Sequence, residues 1–210
     1  LLSLQEEFEN QRSWREDSEK LTFIVCLNDV YTGRLGSVTS HLDGNGDCDD
    51  AIIAGTDDNP TSMIGDINIF LHDSSSGSST EGVKYLTGEL NLMIARQHFR
   101  GQGIGQEVLM SFVSYLLEDL NDILREFKRD DIKECHLMSL QAKIDHKNAT
   151  SLRLFERLGF TKIRDEPNYF GELDLVLDIN RAQDMLRRQR DTMKVNIVNY
   201  KELEKVDADG

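Results

Sequence analysis

Arg100-Gly101-Gln102-Gly103-Ile104-Gly105 follows an apolar run, Gly88 to Ala95, and opens a stretch of helical periodicity. Glycines at such a junction permit positive φ and close backbone approach. Amides in the first turn of a helix lack intrahelical acceptors, so they converge on one point and draw an anion, phosphate above all. The chemistry implied is the holding of a pyrophosphate-bearing cofactor. The same glycines would also serve a plain tight turn, and the loop alone leaves both readings open. Two nucleotide readings fall away. Glycines at 101, 103 and 105 miss the Gly-x-Gly-x-x-Gly dinucleotide spacing, and no Lys-Ser or Lys-Thr follows to form a triphosphate loop.

A loop of this kind must be positioned by a strand before it and a helix behind it, and the flanking pattern supplies both. Ile104, Val108, Leu109, Phe112, Val113, Leu116, Leu117 and Leu120 recur at three- and four-residue steps, which predicts one long amphipathic helix. Upstream, Ser3 to Glu19 reads as a helix with a capping-box start at Ser3 and Glu6. Leu21–Leu27 and Met63–Leu71 read as strands. Cys135–Ile144 predicts a further strand, Asn148–Leu158 a helix closed by Gly159, and Phe160–Ile163 and Tyr169–Ile179 two final strands. The order is α-β-β-β-α-β-α-β-β, a mixed α/β (α+β) domain spanning residues 1–180. Residues 29–62 form an acidic, glycine-bearing insertion that is a poor candidate for regular structure, and Asp73–Thr80 has the composition of a flexible linker. Residues 181–210, charged and mixed in sign, predict a solvent-exposed helix and a frayed tail.

Taken together, the strand, the Arg-Gly-Gln-Gly-Ile-Gly turn, the strand ending Ala142-Lys143-Ile144 and the Asn148-led segment ending Leu158-Gly159-Phe160 resemble the GNAT superfamily of N-acetyltransferases. That family's pyrophosphate loop, Arg/Gln-x-x-Gly-x-Gly/Ala, is matched by Arg100, Gly103 and Gly105. Its Asn-led cofactor helix ending Leu-Gly-Phe is matched by Asn148 and Leu158-Gly159-Phe160. The resemblance runs from about Ser3 to Ile179. Within the superfamily, Gln11–Asp17 with Lys20–Val25, Ile64–Leu71 and Gly171–Leu175 are similar to the N-acetyltransferase-9-like group, whose members are described as acting on protein N-termini, tubulin among them.

The resemblance implies a central mixed, mostly antiparallel sheet with flanking helices, and acetyl-CoA as acetyl donor. It implies that the loop Arg100, Gly101, Gln102, Gly103, Ile104 and Gly105 receives the pyrophosphate. The backbone of Met93, Ile94 and Ala95 would pair with the pantetheine arm, and Asn148 and Ser151 would hold the far side of the cofactor. Glu89, at the entrance of the same strand, stands where the histone-acetylating branch carries its general base. A solvated strand-end glutamate, or a water chain, are the competing readings. Bacterial ribosomal-protein relatives place the base one strand later, where this chain has Lys143, a group that is protonated and cannot serve. Many members carry a tyrosine seven residues after the motif asparagine as general acid. Phe155 stands there and has no proton to give. The thiolate then leaves unassisted or another group substitutes, for which Tyr169 is the available guess against a role as a core aromatic. Family members also open with a strand and helix ahead of the segment matching Ser3 to Glu19. With its Leu1-Leu2 start, the chain is expected to be an N-terminally truncated piece.

Composition narrows the partners. With 38 acidic and 24 basic side chains in 210 residues, the formal charge is −14, which disfavours nucleic acid, whose binding needs clustered Lys and Arg. No apolar run approaches the roughly 20 residues of a membrane helix. Cys26, Cys48 and Cys135 show neither zinc nor disulfide-scaffold spacing, and reduced thiols place the expectation in the cytoplasm, or the nucleus as well. Asp43-Gly44-Asn45-Gly46-Asp47 matches the first positions of a calcium loop and then fails at Cys48 and Ala54. The histidines form no ligand spacing, so no metal is expected. The expected activity is acetyl-CoA-dependent N-acetylation of a primary amine, a protein N-terminal α-amino group first. A small-molecule amine acetyltransferase and an acyl-CoA-binding module without turnover stand as rivals. The acceptor and oligomeric state are not legible.

Overall fold

A computed structural model describes residues 3–27, 52–55, 58–74, 82–127, 132–189 and 200–201. Helix α1 (Leu4–Glu16) starts from the expected capping box, in which the Ser3 hydroxyl accepts from the Glu6 amide and the Glu6 carboxylate accepts from the Ser3 amide at 2.6 Å. Strand β1 (Lys20–Cys26) follows, then the two-residue strand β2 (Ile52–Ile53), β3 (Met63–Asp73) and β4 (Val83–Ile94). A 3-10 turn, Gln97–Phe99, leads into the glycine loop and helix α2 (Ile104–Glu118). The remainder is α3 (Leu120–Phe127), β5 (Glu134–Asp145), α4 (Ala149–Arg157), β6 (Thr161–Lys162), β7 (Glu172–Asp178), α5 (Ile179–Gln189) and the short β8 (Tyr200–Lys201).

Six strands form one sheet in the order β1-β3-β4-β5-β7-β6. Every neighbour pair is antiparallel except β4 with β5, which run parallel. One side of this sheet is apolar. Ile67, Ile69, Leu71, Leu86, Leu90, Leu140, Ala142, Leu175 and Leu177 share a single core with Leu109, Met110 and Leu116 of α2, Phe127 of α3, Phe155 of α4 and Ala182 of α5. Strand alternation puts the intervening residues on the opposite, polar side. There the cross-strand rows read Lys20, Phe70, Glu89, Gln141, Val176 and, one step on, Thr22, Asn68, Asn91 on one half and Lys143, Asp174 on the other. From α1, Trp14 reaches this side, its ring 3.8 Å from the Lys20 ammonium, which also lies 4.7 Å from the Phe70 ring centre.

A β-bulge makes the alternation work. Leu86 pairs with Leu137 and Thr87 with Ser139, so Met138 is the extra residue on β5. Without it, Leu137 in the core would drag Ser139, Gln141 and Lys143 inward. With it, Leu140, Ala142 and Ile144 are buried instead.

Several expectations change. The predicted single helix after the loop breaks at Asp119 and resumes as α3, which buries Ile123, Leu124 and Phe127 and was not foreseen. The final helix is no mere exposed appendage: it begins at Ile179, buries Ala182, and packs Met185 and Leu186 against the core. The insertion contributes β2, which pairs in parallel with β8 of the expected frayed tail. Strand β7 starts at Glu172, since Asn168 to Gly171 forms a turn. The calcium-like stretch 43–47, Cys48 and most of the linker after Ser74 lie outside the described residues. Among the described residues no helix is long and apolar enough to cross a membrane.

Candidate active site

Gly103 caps α2 at its N-terminus with φ 89°, and Gly101 has φ 76°, the left-handed region that side-chain-bearing residues avoid. A Cβ on either would meet nothing within 4 Å, so backbone conformation, not crowding, demands glycine, and the space above the loop is open. The Gly103 carbonyl accepts from the Gln106 and Glu107 amides at 2.9 and 3.2 Å. The amides of Ile104 and Gly105 therefore come before the helical ladder and face that space. A Cβ at Gly105 would sit 3.4 Å from Leu154 Cδ2 of α4, an ordinary contact, so α4 comes close to the first turn of α2 at this point. Ile104, buried with Leu27 and Ile64, anchors the first turn. An open, glycine-walled cradle of forward-facing amides fits a pyrophosphate.

Arg100 and Gln102 brace the loop. The Arg100 guanidinium donates through Nε to the Ile94 carbonyl at 2.7 Å and through its terminal nitrogen to the Ala95 carbonyl at 3.3 Å, while Gln102 Nε2 donates to the His98 carbonyl at 2.5 Å. Arg100 therefore spends two donors joining the loop to the end of β4.

Beyond the loop, the two parallel strands part. Pairing of β4 with β5 ends at Glu89 and Gln141, yet β4 stays with β3 as far as Ile94 and β5 stays with β7 as far as Asp145. The sheet opens into a fork whose one wall is Leu90 to Ile94. In antiparallel pairing, residues alternate between facing the partner strand and turning away from it. The Ala95 amide donates to the Ile64 carbonyl at 2.8 Å, so Met93 and Ala95 direct their main-chain groups to β3 and Ile94 directs its own into the fork. The structure thus divides the trio expected to line the cofactor arm. Gly65, opposite, has no room for a side chain: a Cβ there would lie 2.0 Å from the Met93 carbonyl oxygen.

Glu89 sits where the fork begins, on the polar side. Its carboxylate Oε2 accepts from Lys143 Nζ at 2.6 Å, with the Glu89 side chain 20% and that of Lys143 41% exposed. The hydrogen bond to Glu89 holds the Lys143 ammonium above its ordinary pKa, with the charges of Glu89, Asp174 and Glu172 adding to it against the opposing effect of burial. This pair, between residues 54 apart in sequence, was missed from the sequence, where nothing marks the Met138 bulge that sets the parity of Lys143.

On the far side of the fork, Asn148 caps α4, its Oδ1 accepting from the Ser151 amide at 3.1 Å. That bond fixes the asparagine side-chain carbonyl. Leu154, in the second turn of α4, lies next to Gly105 in the first turn of α2. Phe155 is buried, edge-on to Phe160 at 5.0 Å, and can take no part in proton transfer. Tyr169 is 97% exposed in the turn before β7, which corrects its reading as a core aromatic. His146 bonds through Nδ1 with the Gly171 carbonyl at 2.7 Å, latching that turn to the end of β5. Among the described residues no cluster of groups suited to a metal occurs.

Residues 4–161 match the Acetyltransferase (GNAT) domain family. The chain is 32% identical over 179 residues to an N-acetyltransferase 9-like protein of Nematostella vectensis, covering 85% of this chain and 68% of that one. It is 27% identical over 183 residues to the alpha/beta-tubulin-N-acetyltransferase 9 of Homo sapiens, covering 87% and 67% respectively. Among solved structures, a spermidine N-acetyltransferase chimera from Vibrio cholerae aligns with a TM-score of 0.51 over 87% of this chain and 81% of that one, at 13% identity, a likeness of fold alone. With the glycine loop, the fork and the Asn-capped helix in the order the family requires, the chain belongs to the GNAT acetyltransferase family, in its N-acetyltransferase 9-like group, and is an N-acetyltransferase.

Proposed function

We propose that the protein transfers the acetyl group of acetyl-CoA to the α-amino group of a protein N-terminus, with tubulin chains as the first candidates because relatives bear that name. The observation that carries the reading is the open amide cradle at Gly101 to Gly105, set beside a fork whose entrance holds a carboxylate. The loop amides, with Asn148 and Ser151 across from them, hold the cofactor's phosphates and far side. Acetyl-CoA supplies the activated acetyl group. The Ile94 amide, turned into the fork, offers a fixed donor where negative charge develops, a role that contributes about 3 kcal/mol in comparable sites. Glu89 takes the proton that the amine sheds as it is acetylated. With Phe155 buried, the thiolate departs without a tyrosine acid, which a leaving group of pKa about 8.5 tolerates.

The test is twofold: calorimetric titration with acetyl-CoA, then acetyl transfer to peptides carrying tubulin N-terminal sequences, to unrelated N-terminal peptides and to spermidine. Transfer to free peptide α-amines with N-terminally blocked peptides inert is the expected result. Transfer to spermidine alone would make it a small-molecule enzyme. Binding of acetyl-CoA with no transfer to any acceptor would make it a binding module.

A further inference from the structure

We propose that Lys143 is a positioning residue for acetyl transfer: its ammonium fixes the Glu89 carboxylate at the mouth of the fork, with Oε2 bound and Oε1 left to receive the proton of the incoming amine. The inference rests on Glu89 acting as the base.

Three observations carry it. The first is where the pair stands. Backbone pairing between β4 and β5 ends at Glu89 and Gln141, and Lys143 lies two residues farther along β5. Its 2.6 Å bond to Glu89 therefore crosses the opening where the two strands no longer hold each other. The second is that the lysine has a nearer candidate and does not use it. Asp174 is its direct cross-strand neighbour on β7, but the Asp174 oxygens are engaged by Gln141 Nε2 at 3.4 Å and Arg164 at 3.2 Å. With Asp174 engaged by Gln141 of the same strand and by Arg164, Lys143 turns across the fork to Glu89. The third is the bulge at Met138, which places Lys143 on the polar side at all.

A lysine at the position where other branches keep a base thus has a different task. Glu89 lies in mid-strand, where the sequence suggested a strand entrance. Its side chain still has several rotamers open to it at the mouth of the fork, and proton transfer requires one of them. The Lys143 bond, with Phe70 directly across on β3, restricts that choice. One carboxylate oxygen is committed to the lysine, and the other stays available to the acceptor side. Among the described residues no hydrogen bond engages Oε1.

The experiment is steady-state kinetics on the whole chain, with acetyl-CoA and an acetylatable N-terminal peptide, for Lys143→Met, Lys143→Arg, Glu89→Gln and the double variant Lys143→Met/Glu89→Gln. Lys143→Met is expected to lower kcat about tenfold while KM for acetyl-CoA stays within about twofold, Lys143→Arg to recover most of the loss, and Lys143→Met to cost nothing further once Glu89 is Gln. Lys143→Gln is the second neutral variant should the methionine not fold. A kcat unchanged by Lys143→Met, or a loss that adds in full to that of Glu89→Gln, overturns the positioning role and leaves Glu89 as base. A loss confined to KM for acetyl-CoA overturns it as well, since it would show a brace for the fork and no more. If Glu89→Gln itself leaves kcat unchanged, both readings fall together.

Discussion

Gly103 shows how much of this site depends on one residue without a side chain. Its φ of 89° ends the loop and starts the helix, and its carbonyl receives the first helical bonds. Gly103→Ala places a methyl group in open space, so the change costs conformation, about 1–2 kcal/mol, without a clash. The methyl group also stands on the surface over which phosphate would lie. Calorimetry should show acetyl-CoA affinity reduced by about tenfold or more, with a melting temperature only a few degrees lower; unaltered affinity would remove the loop from cofactor binding. The charged residues answer to a different variable. Lys143 gains its partner on folding, so its raised pKa means a contribution that is complete below the ordinary lysine value of 10.5 and is lost only as pH climbs through the higher folded value. Across the neutral range the Lys143 ammonium therefore stays charged, and a pH dependence of rate found there does not come from it. Burial raises the Cys26 thiol, with Asp58 adding to the effect, which leaves it a poor nucleophile near neutrality.

Among the elements, the bulge in β5 decides which chemistry reaches the polar side. A strand's side chains alternate, so a shift of one residue exchanges its faces. Deleting Met138 removes the extra residue, so Ser139 follows Leu137 directly, Leu140, Ala142 and Ile144 stay inward, and Gln141 and Lys143 keep the polar side. The deletion should therefore still give a cooperative melt, measured by circular dichroism, as should Met138→Ala at a residue 42% exposed, and loss of the melt on deletion would show that the bulge is needed for more than parity. The bulge also explains what was legible from sequence. The glycine loop, the Ser3–Glu6 box and the Asn148 cap were readable because each is written within a few adjacent residues whose backbone needs are local. The stretch 135–144 was readable as a strand, but the two faces of that strand were not, because the extra residue declares itself only against Leu86 and Thr87 of its partner. The helix expected to run on through Leu120 broke at Asp119, where spacing alone carries no sign of a stop. Glu89 was singled out from resemblance, whereas its lysine partner, from another strand, needed the fold. The tail's packing was hidden for the same reason: Ala182 is buried only because β5, β7 and α2 meet there.

On the scale of the whole molecule, the sheet is lopsided. Helices α2 to α5 share a core with one side, while the other carries Glu89, Lys143 and Glu172, with Asp174 buried among them. An overall charge of −14 cannot draw a polyanionic cofactor, so the amides at the start of α2 must act locally, and the acidic polar side suits a cationic amine. The fork has one more consequence. Strands β1, β3 and β4 all come from chain before Phe127, and β5, β7 and β6 all from chain after Ile132, so the division of the sheet coincides with a division of the polypeptide. Each half completes its own antiparallel pairing, and the parallel register from Val83–Glu134 to Glu89–Gln141 is where the two are stitched. A chain severed between residues 127 and 132 should therefore behave as a split enzyme: two co-expressed fragments that copurify and regain acetyl transfer, with neither active alone. Fragments that fail to associate would show that the halves depend on the covalent link and not on the register between them.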